Sequence, residues 1–234
     1  MKPLRLLAHA ALLSLAVLCG TAGQAQQIGS LIKPSPGVIP ENGDPLARAR
    51  IGMNSFAACL AASARNGVNA YLMSVPGSPE STTLMRRLVR KDCLSVDGLE
   101  NSSGGLEFSD AVLRGALYEA VYQDRFGRNL PGDLTAVPAI DYVFGTNPVD
   151  ADDRQDVALR RFADCVTRSA SGEVHTLILS RPASSLEKEA MRALMPRLSG
   201  CLSKDLTIKF SKVQLRGVLG ETLYRIRAGG EVAK

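Results

Sequence analysis

Apolar residues recur at helical spacing in two parts of the chain, and these two parts resemble each other in sequence. One stripe follows the i, i+3, i+4, i+7, i+8 pattern of a helix with one buried face, and its members are Leu113, Ala116, Leu117, Ala120 and Val121. The second stripe has one weaker position and consists of Leu215, Val218, Leu219, Thr222 and Leu223. The surrounding segments, FSDAVLRGALYEAVY and FSKVQLRGVLGETLY, share 8 of 15 residues, where roughly one identity is expected by chance. Both segments are predicted to be helices, with Ser109 and Ser211 as N-caps.

Three further segments recur in the same order, which predicts a tandem pair of one unit. FAACLAASA matches FADCVTRSA, MSVPGSPESTTLMRRL matches LSRPASSLEKEAMRAL, and the tripeptide CLS occurs in both parts. We therefore expect an all-α fold, a tandem pair of similar disulfide-stapled helical repeats with pseudo-twofold symmetry. At most a short two-stranded contact is expected, formed by the extended segments LEF and LTIKF.

Each repeat is expected to contain four helices. The first begins at Asp44-Pro45, an N-cap followed by Pro at the first helical position, runs to about Asn66 and stops at Gly67. Its counterpart ends near Gly172. The next segments, VNAYLMSV and VHTLILSR, are too short for periodicity to separate helix from strand. We predict a two-turn helix for both, because the two copies should share a fold.

A third helix is predicted after a turn of Pro, Gly and Ser, and in the second copy Ser184 or Ser185 caps it. The predicted segments divide the chain into six parts. These are a signal peptide (1–25), an extended N-terminal arm (26–43), helical repeat 1 (44–126), a packed linker (127–152), helical repeat 2 (153–228) and a tail (229–234). The linker contains AVPAIDYVF, which is too apolar to be left in solvent, so we expect it to pack on the repeats.

The first 25 residues are typical of a secretory signal. Lys2 and Arg5 precede an apolar run, Leu6 to Leu18, and small residues follow at Gly23 and Ala25, as cleavage requires. Thirteen apolar residues are too few to cross a bilayer, so we expect no membrane span after signal removal and a secreted or periplasmic protein. Removing the signal lowers the formal net charge from +5 to +3. This small excess argues against a nucleic-acid partner.

Four cysteines remain after the signal, and an even count in an exported protein indicates disulfides. They are Cys59, Cys93, Cys165 and Cys201. A zinc site is the alternative, but the sequence has no CxxC pair and only one His after the signal. Of the three possible pairings, only Cys59–Cys93 with Cys165–Cys201 respects the repeat, so we predict one disulfide within each copy.

Few residues are candidates for chemistry. His175 is the only His after the signal, and no nucleophile motif lies near it, so we interpret it as structural. Glu119 and Glu221 occupy matching positions and, if they faced each other across a cleft, could act as the carboxylate pair of a glycoside hydrolase. Ion-paired glutamates on helices are much more common, however.

The same two helices carry Gly115 and Gly217 at matching mid-helix positions, where Gly costs roughly 1 kcal/mol relative to Ala. We expect these helices to cross there in close contact. The crossing could then bring Arg114 towards Glu221 and Arg216 towards Glu119. The alternative is that each Arg binds carbonyl oxygens at a helix end inside its own unit.

The sequence contains no metal-ligand cluster, phosphate-binding loop or nucleophile elbow. We therefore expect a non-catalytic helical repeat protein, without a cofactor, that has a structural or partner-binding role. Its partner is unknown, and another envelope protein is one candidate. Two alternatives stay open: a cell-envelope hydrolase that uses the paired Glu residues, and a carrier of a small apolar ligand.

Overall fold

The described residues form helices joined by short connections. The computed structural model describes residues 33–34, 44–89, 91–94, 106–143, 151–202 and 208–232. Within these ranges there are eight α-helices: α1 (Pro45–Ser63), α2 (Arg65–Met73), α3 (Pro79–Leu88), α4 (Asp110–Phe126), α5 (Ala151–Ser169), α6 (Ser171–Leu179), α7 (Ser185–Gly200) and α8 (Lys212–Val232). The predicted all-α class is confirmed. The expected signal peptide and nearly all of the N-terminal arm lie outside the described residues.

Side-chain caps fix where most of these helices begin. Asp44 accepts a hydrogen bond from the backbone N–H of Leu46 at 3.0 Å, and Pro45 starts α1. Ser109 and Ser184 cap α4 and α7 in the same way. At α8 the cap is reciprocal: Ser211 Oγ accepts from the backbone N–H of Gln214, and the Gln214 side chain accepts from the Ser211 N–H at 2.8 Å. All these hydrogen bonds satisfy N–H groups that have no partner at the start of a helix.

The first helix ends earlier than expected. It stops at Ser63 rather than near Asn66, because Ala64 leaves the helical conformation (φ −136°, ψ 38°). Gly67, expected to stop α1, lies inside α2, where a Cβ atom would come within 2.9 Å of the Leu88 side chain. Gly67 therefore lies against a neighbouring side chain rather than at a turn. The two short ambiguous segments lie in α2 and α6, so the helical choice was right.

The short strand contact differs from the one expected. Residues Leu106–Glu107, from LEF, pair antiparallel with Lys33–Pro34 of the N-terminal arm. LTIKF lies partly outside the described residues, and its described part, residues 208–210, has no assigned strand. The contact joins the arm to the start of α4 instead of joining the two predicted repeats.

Buried side chains form two adjoining hydrophobic clusters. The first is built from α1, α2 and α4, and its fully buried members include Phe56, Leu60, Tyr71, Leu113 and Leu117. The second is built from α5 to α8, and its fully buried members include Leu177, Ile178, Leu194, Leu219 and Leu223. The end of α4 belongs to the second cluster through Tyr122 and Phe126, which ties the clusters together. Leu134 and Tyr142, from the expected linker, are buried as well.

Helices α4 and α8 cross at Gly115 and Gly217, where their backbones touch. A Cβ atom built on Gly115 would lie 2.7 Å from Gly217 Cα, and one on Gly217 would lie 3.0 Å from Gly115 Cα. Any larger residue would force the helices apart. Helix α1 packs on α4, and α5 packs on α8, so this crossing lies at the centre of the molecule.

Each half of the chain contains one disulfide, which connects two of its helices. Cys59 in α1 is bonded to Cys93 in the 3₁₀ helix Lys91–Leu94, and Cys165 in α5 is bonded to Cys201 at the end of α7. The predicted pairing is confirmed. The two bonds differ in solvent access, because Cys93 is buried whereas Cys165 is exposed.

Helix α8 runs to Val232, through residues expected to form the start of a tail. Of the helices described, none is both long and apolar enough to cross a membrane.

The helix crossing predicts opposite effects for two Gly-to-Ala substitutions. Gly115→Ala should lower the free energy of unfolding by on the order of 1–3 kcal/mol, because its methyl group has no space. Gly172→Ala, also in a helix but with no atom within 4 Å of the new methyl group, should raise it by up to about 1 kcal/mol. Urea unfolding measures both values. Equal stability of Gly115→Ala and the wild type would contradict the close contact.

Solvent access predicts the order in which the disulfides are reduced. In limiting dithiothreitol without denaturant, Cys165 and Cys201 should be alkylated before Cys59 and Cys93, because a thiolate must reach a sulfur atom to attack it. Peptide mapping by mass spectrometry follows the two pairs. Simultaneous labelling of all four cysteines would show that reduction occurs only after global unfolding.

Candidate functional site

Arg114 is buried and binds the end of α2. One terminal nitrogen donates to the carbonyl oxygens of Leu72 at 3.1 Å and Ser74 at 3.3 Å, and the other donates to Ser81 Oγ at 2.9 Å. Its Nε lies 3.5 Å from a carboxylate oxygen of Asp110, one turn earlier in α4. The carbonyl groups at a helix end have no partner within the helix, so the guanidinium group supplies one.

Arg216 repeats this arrangement at the end of α6. It donates to the carbonyl oxygens of Ile178 at 3.2 Å and Ser180 at 2.8 Å. It also contacts two carboxylates and a hydroxyl: Nε lies 2.8 Å from Glu119 Oε2, and Nη1 lies 3.2 Å from Glu187 Oε1 and donates to Ser180 Oγ at 3.2 Å. Arg216 thus joins α8 to α4, α6 and α7.

One of the two expected ion pairs is present and the other is absent. Arg216 lies against Glu119, as expected from the crossing. Arg114 does not bind Glu221, which instead accepts from Arg160 Nε at 3.0 Å and from Arg225 at 3.3 Å. The predicted Arg114–Glu221 pair is wrong. Arg114 lies beside Asp110, and Glu221 is taken by Arg160 and Arg225. Both arginines bind carbonyl groups of their own half, which was the alternative stated above.

Glu187 is the most enclosed acid of this region, with no exposed surface. It is paired with Arg50 of α1 and with Arg216, and its second oxygen accepts from the backbone N–H of Ala183 at 2.9 Å. Burial by itself would raise the pKa of the Glu187 carboxyl, but the hydrogen bond and charge of Arg50, the Ala183 N–H and Arg216 together hold it below its usual value.

We call Arg50, Arg114, Glu119, Arg160, Glu187, Arg216 and Glu221 the crossing cluster, because all lie around the contact between α4 and α8. Glu119 differs from Glu187 in its titration: burial raises the pKa of its carboxyl above the ordinary value, although Arg216 opposes this. Burial alone would lower the pKa of Arg160, but the neighbouring Glu221 and Asp156 raise it. The cluster is a set of paired ions in an environment with little water.

Little free volume is available beside the two candidate carboxylates. Glu119 and Arg216 border a cavity of about 30 Å³, and Glu221 and Arg160 border one of about 20 Å³. Small-molecule sites usually have volumes of about 300–1,000 Å³. The glutamates line separate cavities, and neither cavity has room for a sugar ring or a peptide unit.

His175 forms a second buried polar group, away from the crossing cluster. Its Nδ1 lies 2.6 Å from the hydroxyl of Tyr122, which also accepts from Arg227 at 3.1 Å. Burial and the nearby positive charge of Arg227 lower the pKa of the His175 ring. A neutral ring held between α4 and α6 fits a packing role.

The described residues contain no group of His, Cys, Asp or Glu side chains that could hold a metal ion. Comparisons of the chain with protein-family models, with curated proteins and with solved structures found no match. The chemistry of this protein must therefore be inferred from its own geometry.

Sequence reasoning found Arg114, Glu119, Arg216 and Glu221 but missed three members of the cluster. Glu187 takes the place that Ser81 holds in the first half, and Arg160 takes that of Asn54. These two positions are uncharged in the first half and charged in the second, so a search for identical positions does not find them. The available signal was an acidic and a basic residue that the second half has and the first half lacks.

Substitution of Glu187 should be strongly destabilising. Glu187→Gln leaves Arg50 and Arg216 without their shared carboxylate, and breaking a buried ion pair in this way costs on the order of 3–5 kcal/mol. Glu189→Gln, on the same helix but exposed, should change stability by less than about 0.5 kcal/mol. Chemical denaturation at pH 7 measures both variants. Equal stability of the two would mean that the Glu187 contacts contribute nothing.

The stability difference between the wild type and Glu187→Gln should also depend on pH. Because the folded-state pKa of Glu187 is lowered, its contribution is fully present above the unfolded value of about 4.3. It is lost as pH falls through the lower folded-state pKa. Melting temperatures between pH 7 and pH 2 should therefore converge only at the acid end. A constant difference over this range would contradict the ion-pair assignment.

Proposed function

We propose that this chain is a secreted or periplasmic, non-catalytic helical protein with a structural or partner-binding role. The observation that carries the proposal is the state of its two candidate catalytic glutamates. Glu119 and Glu221 are both buried and bound to arginines, at 2.8 Å and 3.0 Å. They border separate small cavities, of about 30 Å³ and 20 Å³.

A glycoside hydrolase needs two carboxylates that face one substrate. Both carboxylates are held by arginines, and loss of such a partner is costly inside a protein. Although burial raises the pKa of Glu119, the two glutamates line separate cavities, so their surroundings do not favour the hydrolase alternative.

The compartment is part of the same proposal. Two disulfides favour an oxidising environment, and the signal-like sequence at residues 1–25 agrees with it. We also propose that the two halves are tandem repeats related by a pseudo-twofold axis at the Gly115–Gly217 contact. Matching helices support this: α1 and α5 each have 19 residues, and α2 and α6 each have 9.

An activity assay tests the absence of a catalytic centre. The purified protein, lacking residues 1–25, should show no turnover of peptidoglycan, peptide or ester substrates. A Glu119→Gln, Glu221→Gln double variant serves as comparison, with circular dichroism to establish that it is folded. Enzymatic activity that co-purifies with the wild-type protein would refute the proposal. Loss of that turnover in a folded double variant would assign it to the glutamates.

A further inference from the structure

A groove much larger than the cavities of the crossing cluster lies between α2, α4 and α8. Its volume is about 440 Å³, within the range of about 300–1,000 Å³ that is usual for small-molecule sites. Its surface is mainly apolar. The residues described as lining it are Asn69, Leu72, Met73, Tyr118, Tyr224, Arg225 and Ala228, and none of these belongs to the crossing cluster.

The matching part of the second half is filled by aromatic rings of the chain itself. Phe126 is only 3% exposed there, and its ring centroid lies 5.6 Å from that of Tyr122, four residues earlier on α4. The ring of His175 packs edge-on against Tyr122 from α6, at 5.7 Å. Tyr122 is enclosed between these neighbours and has no exposed surface.

The first half lacks both of these rings. Continuing the match between the segments of α4 and α8 by four residues places Ala228 opposite Phe126, and Asn69 stands opposite His175. Ala228 and Asn69 both line the groove. The groove therefore lies where the other half of the chain has two aromatic side chains.

Tyr224 shows the effect of the missing rings. It matches Tyr122 in sequence, but it is only partly buried. Its ring has neighbours on the inner side, with Tyr118 at 5.7 Å and Phe126 at 5.9 Å. Tyr118 itself is a ring that the second half lacks, because its match there is Gly220. The groove thus combines an aromatic wall with an open place beside it.

This wall is held in position by contacts of the protein. Tyr118 is buried and donates its hydroxyl to the Leu72 carbonyl oxygen at 3.0 Å, which fixes the ring between α4 and α2. A site formed before its ligand arrives loses little entropy on binding. Met73, which is 83% exposed, adds an unbranched, polarisable side chain that can follow the outline of an apolar ligand.

The polar groups around the groove favour an uncharged ligand. Arg225 is the charged residue described in the lining, and its guanidinium group is already bound to Glu221 and to the carbonyl oxygen of Asp141 and lies over the ring of Tyr142. The hydroxyl of Tyr118 is likewise used within the protein. A charged ligand would lose its water in this groove without gaining a partner of opposite charge, which is unfavourable.

We propose that this groove binds a small uncharged aromatic molecule, whose ring takes the place that Phe126 fills in the other half and packs against Tyr224 and Tyr118. Aromatic rings gain from such contacts beyond the burial of their surface. The proposal rests on the partner-binding role and the tandem relation proposed above, and it names the class of ligand. A binding titration and a turnover assay fail independently, so a failure to bind leaves the absence of catalysis as a separate question.

Two alcohols with the same carbon skeleton test whether the site selects an aromatic ring. They are 1-naphthol and its saturated counterpart, decahydro-1-naphthol, both uncharged at pH 7. Each is used to displace the uncharged fluorescent dye N-phenyl-1-naphthylamine from the protein lacking residues 1–25. We expect one dye per native chain, and 1-naphthol should displace it at a roughly two- to tenfold lower concentration than the saturated alcohol. The anionic analogue of the dye, 8-anilino-1-naphthalenesulfonate, should bind no more tightly than the dye itself.

Four variants locate the ligand. Ala228→Phe supplies the missing ring, so it should weaken dye binding at least tenfold without lowering the melting temperature. Ala193→Phe makes the same exchange at an exposed position of α7 outside the groove, and dye binding should not change. Tyr224→Phe keeps the ring and should keep the preference for 1-naphthol, whereas Tyr224→Leu should remove it. Near-ultraviolet circular dichroism and a cooperative melt establish that each variant is native.

Oxidation of methionine by hydrogen peroxide locates the ligand on the wild type, without any substitution. Met73 lies in the groove and Met195 lies outside it, and both side chains are exposed. Saturating 1-naphthol should slow sulfoxide formation at Met73 at least twofold and leave Met195 unchanged, because a bound ligand covers the sulfur atom. Peptide mapping by mass spectrometry measures both rates.

Several results would overturn the proposal. They are no dye binding up to the solubility limit of the dye, several dyes per chain, equal displacement by the two alcohols, tighter binding of the anionic dye, or unchanged binding in folded Ala228→Phe. A dimer that Ala228→Phe dissociates would overturn it too, by showing that a second copy of the chain occupies the groove. Should a variant fail to fold, the two alcohols and the protection of Met73 on the wild type still decide the question.

Discussion

The contact between Gly115 and Gly217 is the constraint on which the arrangement of the other helices depends. It brings two helix backbones to a distance that no side chain could occupy. The residue that precedes each of these glycines is buried as well. Arg114 and Arg216 are those residues, and the protein has to provide hydrogen-bond acceptors for both in a region from which water is largely excluded.

The protein provides those acceptors mainly from helix ends. Helices α2 and α6 each end near an arginine, and their last carbonyl groups accept its hydrogen bonds. This meets part of two needs at once, since a helix end leaves carbonyl groups unpaired and a buried guanidinium group has five N–H donors. Among the described residues, the Nε–H of Arg114 has no hydrogen-bond partner. The helices around the crossing are thereby held by directed polar contacts as well as by apolar packing.

Much of this fold could be predicted because local chemistry determined it. Apolar stripes fixed the faces of α4 and α8, serine and aspartate marked helix starts, and the spacing of four cysteines left one pairing compatible with the repeat. The break at Ala64 could not be predicted, because alanine favours helix and no local pattern marks it. The Glu187 contacts were equally inaccessible, since Arg50 and Glu187 are 137 residues apart and no local pattern joins them.

The partners of the two buried arginines make the halves unequal in their dependence on each other. Arg114 obtains its carboxylate and its carbonyl groups from α2, α3 and α4 alone. Arg216 takes one of its two carboxylates from Glu119, on the N-terminal half. An N-terminal half that leaves the ribosome or a membrane channel first can therefore complete the surroundings of its arginine at once. The surroundings of Arg216 are complete only when α4 of the N-terminal half is in place, which favours assembly in the order in which the chain is made.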